Sequence, residues 1–173
     1  RVLKKAADNG SATAQAKLGL LHADSAGPLY DPEKAARFLR LAAEQDRAEA
    51  KQAYETLPEA VRLQEQAENG DAAAQYALGQ LYAEGRGVKR NDSESVRWYR
   101  KSAAQNYAPA MFNLGWMYAN GRGMKQDDKK AVEWYQKSAE QTYAPAIFNL
   151  GWMRANGRGL PKDDTAVFLC YRQ

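Results

Sequence analysis

Apolar and polar positions in this chain repeat at a spacing of 36 residues. Ala77-Leu78-Gly79-Gln80-Leu81-Tyr82-Ala83-Glu84-Gly85-Arg86-Gly87 returns as Asn113-Leu114-Gly115-Trp116-Met117-Tyr118-Ala119-Asn120-Gly121-Arg122-Gly123. It returns again as Asn149-Leu150-Gly151-Trp152-Met153-Arg154-Ala155-Asn156-Gly157-Arg158-Gly159. A period of this length with helical patterning inside it predicts stacked helix pairs rather than one closed globule. The expected fold is an all-α solenoid whose units each hold a helix A, a Gly-Arg-Gly loop and an antiparallel helix B.

Local signals agree. Asp71 is suited to cap the first helix A, and Pro109 and Pro145 suit the first turn of the next two. After each Gly-Arg-Gly loop one apolar residue, Val88, Met124 or Leu160, is placed to tuck onto the core. Asn91 with Glu94, then Asp127 and Asp163, stand where helix B begins, and Asp31-Pro32 opens the equivalent helix earlier in the chain. Helix B should bury Val96, Trp98, Tyr99 and Ala103, and in the next unit Val132, Trp134, Tyr135 and Ala139. Large aromatics facing Gly and Ala let the two helices approach closely.

The period breaks once. Leu18-Gly19-Leu20-Leu21-His22 matches a helix A, but Asp24 to Tyr30 replaces the glycine loop, and Gly19 to Gly79 spans 60 residues, one period plus 24. A shortened hairpin is therefore expected, with helix A near Arg47 to Thr56, helix B near Pro58 to Glu68, and the glycine loop deleted. Such a unit should change the local twist, giving a bend or a boundary. The reading is one repeat domain over 1–173. Residues 1–10 end a preceding unit, 11–46 form unit one, 47–70 the shortened unit, 71–106 and 107–142 full units, and 143–173 an incomplete last unit. Arg1 to Ala7 aligns with the middle of a helix B, and Ala166 to Tyr171 enters another, so a fragment of a longer array is expected.

Composition narrows the alternatives. The chain is 45% hydrophobic and 27% charged with a net charge of +4, and no apolar run approaches the ~18 residues of a membrane span. A single cysteine, Cys170, excludes an intrachain disulfide and argues against a cysteine-based metal cage. The single histidine, His22, falls at the position of Tyr82 and reads as a repeat-packing residue. Cys170 falls at an apolar helix-B position, with no base in the sequence to activate it. The Gly-Arg-Gly loops lack the Gly-Lys-Ser/Thr ending of a phosphate loop, and Asp127-Asp128 and Asp163-Asp164 read as helix starts, without calcium-loop spacing. No catalytic, metal or cofactor constellation emerges, so the chain reads as a non-enzyme without a cofactor.

From Asp71 to Gly159 the recurring Ala, Leu-Gly, Tyr, Gly-x-Gly, Asp, Ala-Val and Trp-Tyr positions resemble the Sel1-like repeat family, relatives of the tetratricopeptide repeat. The resemblance is weaker over Lys17 to Leu41, and the 24-residue unit departs from it. It implies a right-handed superhelix of antiparallel helix pairs acting as an adaptor or scaffold, often bacterial and often exported or at the envelope. A periplasmic or secreted location follows from this resemblance alone. Members that lace each hairpin with two cysteines are disfavoured here.

By that similarity one arc of helix A would face a concave groove. It presents Tyr76, Phe112, Trp116, Phe148 and Trp152, flanked by Gln80, Asn113, Asn120, Asn149 and Asn156. Asn amides can bracket the peptide groups of an extended partner segment while rings cover its apolar side chains. The same aromatics could instead pack between repeats, and Asn113 and Asn149 could bond within the fold. A second surface is the loop edge, where Arg86, Arg122 and Arg158 would align as a basic ladder able to meet an acidic partner. They could equally pair with Asp92, Asp128 and Asp164 or cap helix-A carbonyls. Nucleic-acid binding is disfavoured on this ground. The functional expectation is a scaffold or adaptor that binds a protein or extended peptide through the helix-A groove. The alternatives are an inhibitor or immunity-type protein capping an enzyme, and an architectural spacer. Uncovered repeat ends could also support a homodimer.

Overall fold

The computed structural model describes residues 2–24, 29 and 31–163. Among these, the chain forms ten α-helices and no strand. In order they are α1 (Val2–Asp8), α2 (Ala12–Ala23), α3 (Pro32–Ala43), α4 (Ala48–Thr56), α5 (Glu59–Glu68), α6 (Ala72–Glu84), α7 (Asp92–Ala104), α8 (Ala108–Asn120), α9 (Asp128–Ala139) and α10 (Ala144–Ala155). Asp164, Cys170, the helix expected over 166–171, and positions 25–28 and 30 of the early loop lie outside the described residues.

The caps read from the sequence at Asp71, Asn91, Asp127 and Asp31 are made, and the helix that Asp163 would open lies outside the described residues. Asp71 accepts from the Ala74 amide at 2.9 Å, Asn91 from those of Ser93 and Glu94 at 3.1 Å, and Asp127 from that of Lys130 at 3.0 Å. Asp31 does the same for Lys34 at 3.0 Å. Pro109 and Pro145 sit in the first turns of α8 and α10, where a missing N–H costs no helical hydrogen bond.

Every turn from a helix B to the next helix A carries one residue of positive φ: Gly10, Asp46, Gly70, Asn106 and Thr142. Their steps along the chain are 36, 24, 36 and 36 residues, so the backbone itself records the shortened pair. α4 and α5 fall within a residue of the spans expected for it.

The chain divides into two compact units, 1–69 and 70–173, and the division falls at the end of that shortened pair. In the first unit α2 and α3 pack as a pair, and α4 and α5 both contact α3. The core is built of Ala16, Ala35, Ala36, Leu39, Ala42, Ala50 and Leu57. Its polar centre is Glu65, 7% exposed, held by Arg40 Nε at 2.6 Å and by Asn69. His22 lies over the Phe38 ring at 6.1 Å and its Nδ1 is 2.6 Å from the Leu29 carbonyl oxygen.

In the second unit α6 to α10 pack each against the next. Leu114 and Met117 of α8 join Val96, Tyr99 and Ala103 of α7, while Ala119 joins Ala131, Val132 and Tyr135 of α9 and Met153 of α10. One helix thus serves two successive core layers, the nearest-neighbour arrangement expected of a repeat. Met124 and Leu160 tuck onto these layers from their loops. The close approach is enforced at Gly115, where an added Cβ would stand 2.8 Å from the Tyr135 ring and 3.1 Å from the Ala131 carbonyl oxygen. Ser102 Oγ donates to the Ala72 carbonyl at 2.7 Å and Ser138 Oγ to that of Ala108 at 2.8 Å, tying each helix B to its own helix A. Burial on helix B is less uniform than expected. Val96, Trp98, Tyr99 and Ala103 are all buried, whereas Trp134 and Ala139 are only half-buried. Trp134 lines an open hollow with Met111, Lys137 and Gln141, and its ring is covered instead by the Lys137 ammonium at 4.6 Å.

Candidate protein-binding face

The aromatic positions of α6, α8 and α10 separate into two sets one helical turn apart. Tyr76 and Phe112 are half-buried and belong to the packing. Tyr76 lies against Tyr99 and Tyr107, with ring centres 5.8 and 5.4 Å away, and Phe112 lies against Tyr135 and Tyr143, both at 5.6 Å. Burial, with the neighbouring Tyr143, Tyr99 and Tyr107, pushes the Tyr76 hydroxyl up to about 12. Phe148, at the matching place on α10, is 45% exposed. The second set is Gln80, half-buried, then Trp116 and Trp152, which are 37% and 46% exposed. These two indoles, with Phe148, are the large side chains that the face offers to solvent.

The asparagines find partners within the chain, Asn120 and Asn156 while remaining exposed. Asn113 at Tyr99 and Asn149 at Tyr135 partly offset the upward push that burial gives those phenols' pKa. Asn120 Nδ2 donates to the Trp116 carbonyl at 2.8 Å, and Asn156 Nδ2 to that of Trp152 at 2.7 Å. Each thereby closes the last turn of its helix beside the tryptophan.

Arg122 and Arg158 are committed to inter-repeat pairing. Arg122 Nε donates to Asp92 Oδ2 at 3.0 Å, its Nη2 donates to Asp92 Oδ1, and the same Nη2 reaches the Ala83 carbonyl at 3.1 Å. Arg158 repeats the pattern on Asp128 at 3.0 and 2.6 Å and on the Ala119 carbonyl at 2.7 Å. Each loop arginine therefore holds the start of helix B and the end of helix A of the preceding repeat. The acid lies 30 residues upstream of the arginine, not in the arginine's own unit. The Arg122 and Arg158 hydrogen bonds hold Asp92 and Asp128 below the usual carboxylate range, because a charged donor favours the ionised acid. Each guanidinium also stands over an indole, Arg122 at 5.2 Å from Trp116 and Arg158 at 5.6 Å from Trp152. Arg86 differs, with a side chain 62% exposed and a loose pair to Glu84 at 3.8 Å.

Between the two tryptophans lies a cleft of 190 Å³. Trp116, Ala119 and Asn120 of α8 form one wall, and Asn149, Trp152 and Met153 of α10 the other, with Tyr135 and Arg158 completing it. Tyr135, Met153 and Ala119 are 2%, 1% and 6% exposed, so they act as a rigid floor. The sequence names Trp116, Asn120, Asn149 and Trp152, and offers Asp92, Asp128 and helix-A carbonyls as partners of the arginines, but the pairing runs one repeat back from the register it suggests. The signal was present in the equal Asp92-to-Arg122 and Asp128-to-Arg158 spacings.

A profile of the Sel1 repeat matches residues 12–46, 72–107, 108–143 and 144–172, passing over the shortened pair. The chain belongs to the Sel1 repeat family. This Sel1 chain is similar in structure to a protective antigen present in uropathogenic Escherichia coli strains that displays an SLR fold. The TM-score is 0.66 and the identity 32%, over 98% of this chain and 39% of that one. A Sel1 repeat protein from Oxalobacter formigenes matches with a TM-score of 0.64 and 26% identity, over 98% of this chain and 53% of that one. In sequence, DAP3-binding cell death enhancer 1 of Rattus norvegicus is 36% identical over 103 residues, 60% of this chain but 15% of the relative's length. Its relatives thus come from bacteria and a mammal, and the Sel1 chain spans a minor part of the rat protein. Sel1 repeats generally serve as protein-interaction scaffolds. Among the described residues, no helix is long and apolar enough to cross a membrane, and no group of three His, Cys, Asp or Glu is placed to hold a metal ion.

Proposed function

We propose that this Sel1 chain is a protein-binding scaffold whose contact face is centred on Trp116 and Trp152. The observation that carries the reading is the contrast within one face. Tyr76 and Phe112 are consumed by packing, whereas the two indoles one turn further along, joined on α10 by the exposed Phe148, line a cleft over the buried Tyr135 and Met153. Exposed tryptophan over a rigid, partly desolvated recess is the side chain most enriched at interaction hot spots. The name of the rat relative records that protein's binding to another protein, which supports the class of activity without indicating the partner here. Arg122 and Arg158 are neutralised by Asp92 and Asp128, so the loop edge is a set of repeat clamps and the contact is made on the tryptophan face. His22 is occupied by the Leu29 carbonyl and Phe38, and no catalytic role is assigned.

The test is selection of displayed random peptides on the parent chain, with the Trp116→Ala/Trp152→Ala variant used for counter-selection. Peptides that bind the parent and lose at least about tenfold in affinity on a folded variant support the reading. Peptides that bind both equally, or no enrichment at all, contradict it and favour a spacer role.

A further inference from the structure

The two helix-B tryptophans, Trp98 and Trp134, stand 36 residues apart and differ in what covers them. Trp98, 2% exposed, carries two cations, the Lys101 ammonium at 4.2 Å from the ring centre and the Arg97 guanidinium at 4.8 Å. Of that pair Trp134 keeps the lysine, Lys137 at 4.6 Å. The residue at the place of Arg97 is Glu133, and Trp134 is left half-buried beside an open hollow of 640 Å³. We infer that this hollow receives an arginine side chain of a partner segment, which takes over at Trp134 the role that Arg97 has at Trp98. The inference extends the protein-binding reading to a second surface, since none of the hollow's residues lines the cleft between Trp116 and Trp152.

The surroundings select a guanidinium. An indole face attracts a cation, arginine more often than lysine, and the Trp98 ring shows that a second cation is accommodated beside the lysine. There the added charge is answered by Glu94, which pairs with Arg97 at 2.7 Å. At Trp134 the acids are present and the second cation is missing. Glu140 lines the hollow with Lys137, Glu133 precedes the tryptophan, and neither glutamate has an ion-pair partner among the described residues. An anion would add a third carboxylate beside these two, and a neutral side chain would gain nothing from them. Hydrogen-bond acceptors point the same way. Gln45 and Gln105 each donate to a glutamine oxygen, at 2.8 and 2.9 Å, whereas Gln141 meets the Met111 sulfur at 3.5 Å. The side-chain oxygens of Gln141 and Asn106 therefore stand at the hollow as acceptors for a guanidinium's N–H groups. Ala103, Ala104 and Met111 supply the apolar wall along which an arginine stem lies.

The experiment titrates the chain with N-acetyl-argininamide and with its uncharged isostere, N-acetyl-citrullinamide, and follows the indole N–H resonances in 1H–15N spectra. The arginine probe should shift the Trp134 resonance saturably, at a concentration at least about fivefold lower than the citrulline probe, and leave the covered Trp98 in place. Glu133→Arg should rebuild the Trp98 arrangement within the chain and weaken the probe at least about fivefold, and Glu140→Gln should weaken it about two- to threefold. An unmoved Trp98 resonance reports an intact fold in both variants. A citrulline probe that saturates at equal concentration overturns the inference, as does the absence of a saturable Trp134 shift or full binding by a folded Glu133→Arg chain. Trp116→Ala/Trp152→Ala should bind the probe at Trp134 as the parent does, even if the tryptophan face fails its own peptide test. Loss of the Trp134 shift in that variant, still folded, would place the probe on the other face and overturn the inference while the protein-binding reading stands.

Discussion

Gly85-Arg86-Gly87 and Gly121-Arg122-Gly123 are the same tripeptide in the same left-handed turn, with glycine φ of 73° and 71° in one loop and 62° and 69° in the other. Arg122 clamps the preceding repeat through Asp92 and the Ala83 carbonyl, while Arg86 projects into solvent beside Glu84. Arg122 pairs with Asp92, 30 residues upstream in the same compact unit, whereas the same step back from Arg86 falls on Thr56 in sequence. No acid stands at that sequence step from Arg86. A side chain in a repeat thus takes its role from its neighbour as much as from its own motif, because the energy of such folds resides largely in nearest-neighbour interfaces.

The largest expected effect tests that contrast at the second glycine of each loop. At Gly123 an added Cβ would stand 2.3 Å from the Asp92 carbonyl oxygen, whereas at Gly87 nothing lies within 4 Å. Both have positive φ, so both lose about 1–2 kcal/mol on substitution by alanine from the backbone alone. Gly123→Ala must also displace a neighbouring backbone, and a total of about 3 kcal/mol or more is expected. Urea unfolding of the two variants measures the gap, and equal losses would show that the close approach contributes nothing.

Arg122→Ala comes next, at about 1–3 kcal/mol, since it removes charge-assisted bonds to Asp92, which is three-quarters buried and is left with the longer pair to Arg90 at 3.3 Å. Arg86→Ala should stay within about 0.5 kcal/mol. An Asp92→Ala/Arg122→Ala cycle sharpens the attribution, because the pair should couple where Asp92 and Arg86 do not.

Acid sets a smaller, pH-dependent version of the same test. Asp92 and Asp128 have depressed folded pKa values, so their contribution is fully present above the unfolded carboxylate value of about 3.9. It is lost as pH falls through the lowered folded values. The stability gap between parent and Arg122→Ala should be flat from about pH 5 to 8 and close in stronger acid. A gap that persists unchanged at low pH would mean that the arginine acts by packing rather than by charge.

Much of the fold was legible because periodicity and capping are local. The caps at Asp71, Asn91 and Asp127 and the helices of the shortened pair follow from spacing and turn chemistry. The site was legible only in part. Trp116 and Trp152 share an arc with Phe112 and Phe148 on a helical projection, and one turn of helix decides which of them meets Tyr135 and Tyr143. That depends on the tilt of neighbouring helices, which a single unit's pattern does not encode. The partners of Arg122 and Arg158 were hidden for the same reason, since sequence proximity pointed to the acids of their own unit. Trp134 differs from Trp98 in burial although the two are 36 residues apart, again a matter of surroundings.

The measurement that tests the central claim most directly compares peptide affinity and urea unfolding of Trp116→Ala/Trp152→Ala with those of the parent, on the same preparation. The account predicts an affinity loss of at least about tenfold with cooperative unfolding retained and a smaller stability loss than in Gly123→Ala, because more than a third of each tryptophan is exposed. Retained affinity, with stability falling as far as in Gly123→Ala, would contradict it and make the tryptophans part of the repeat packing.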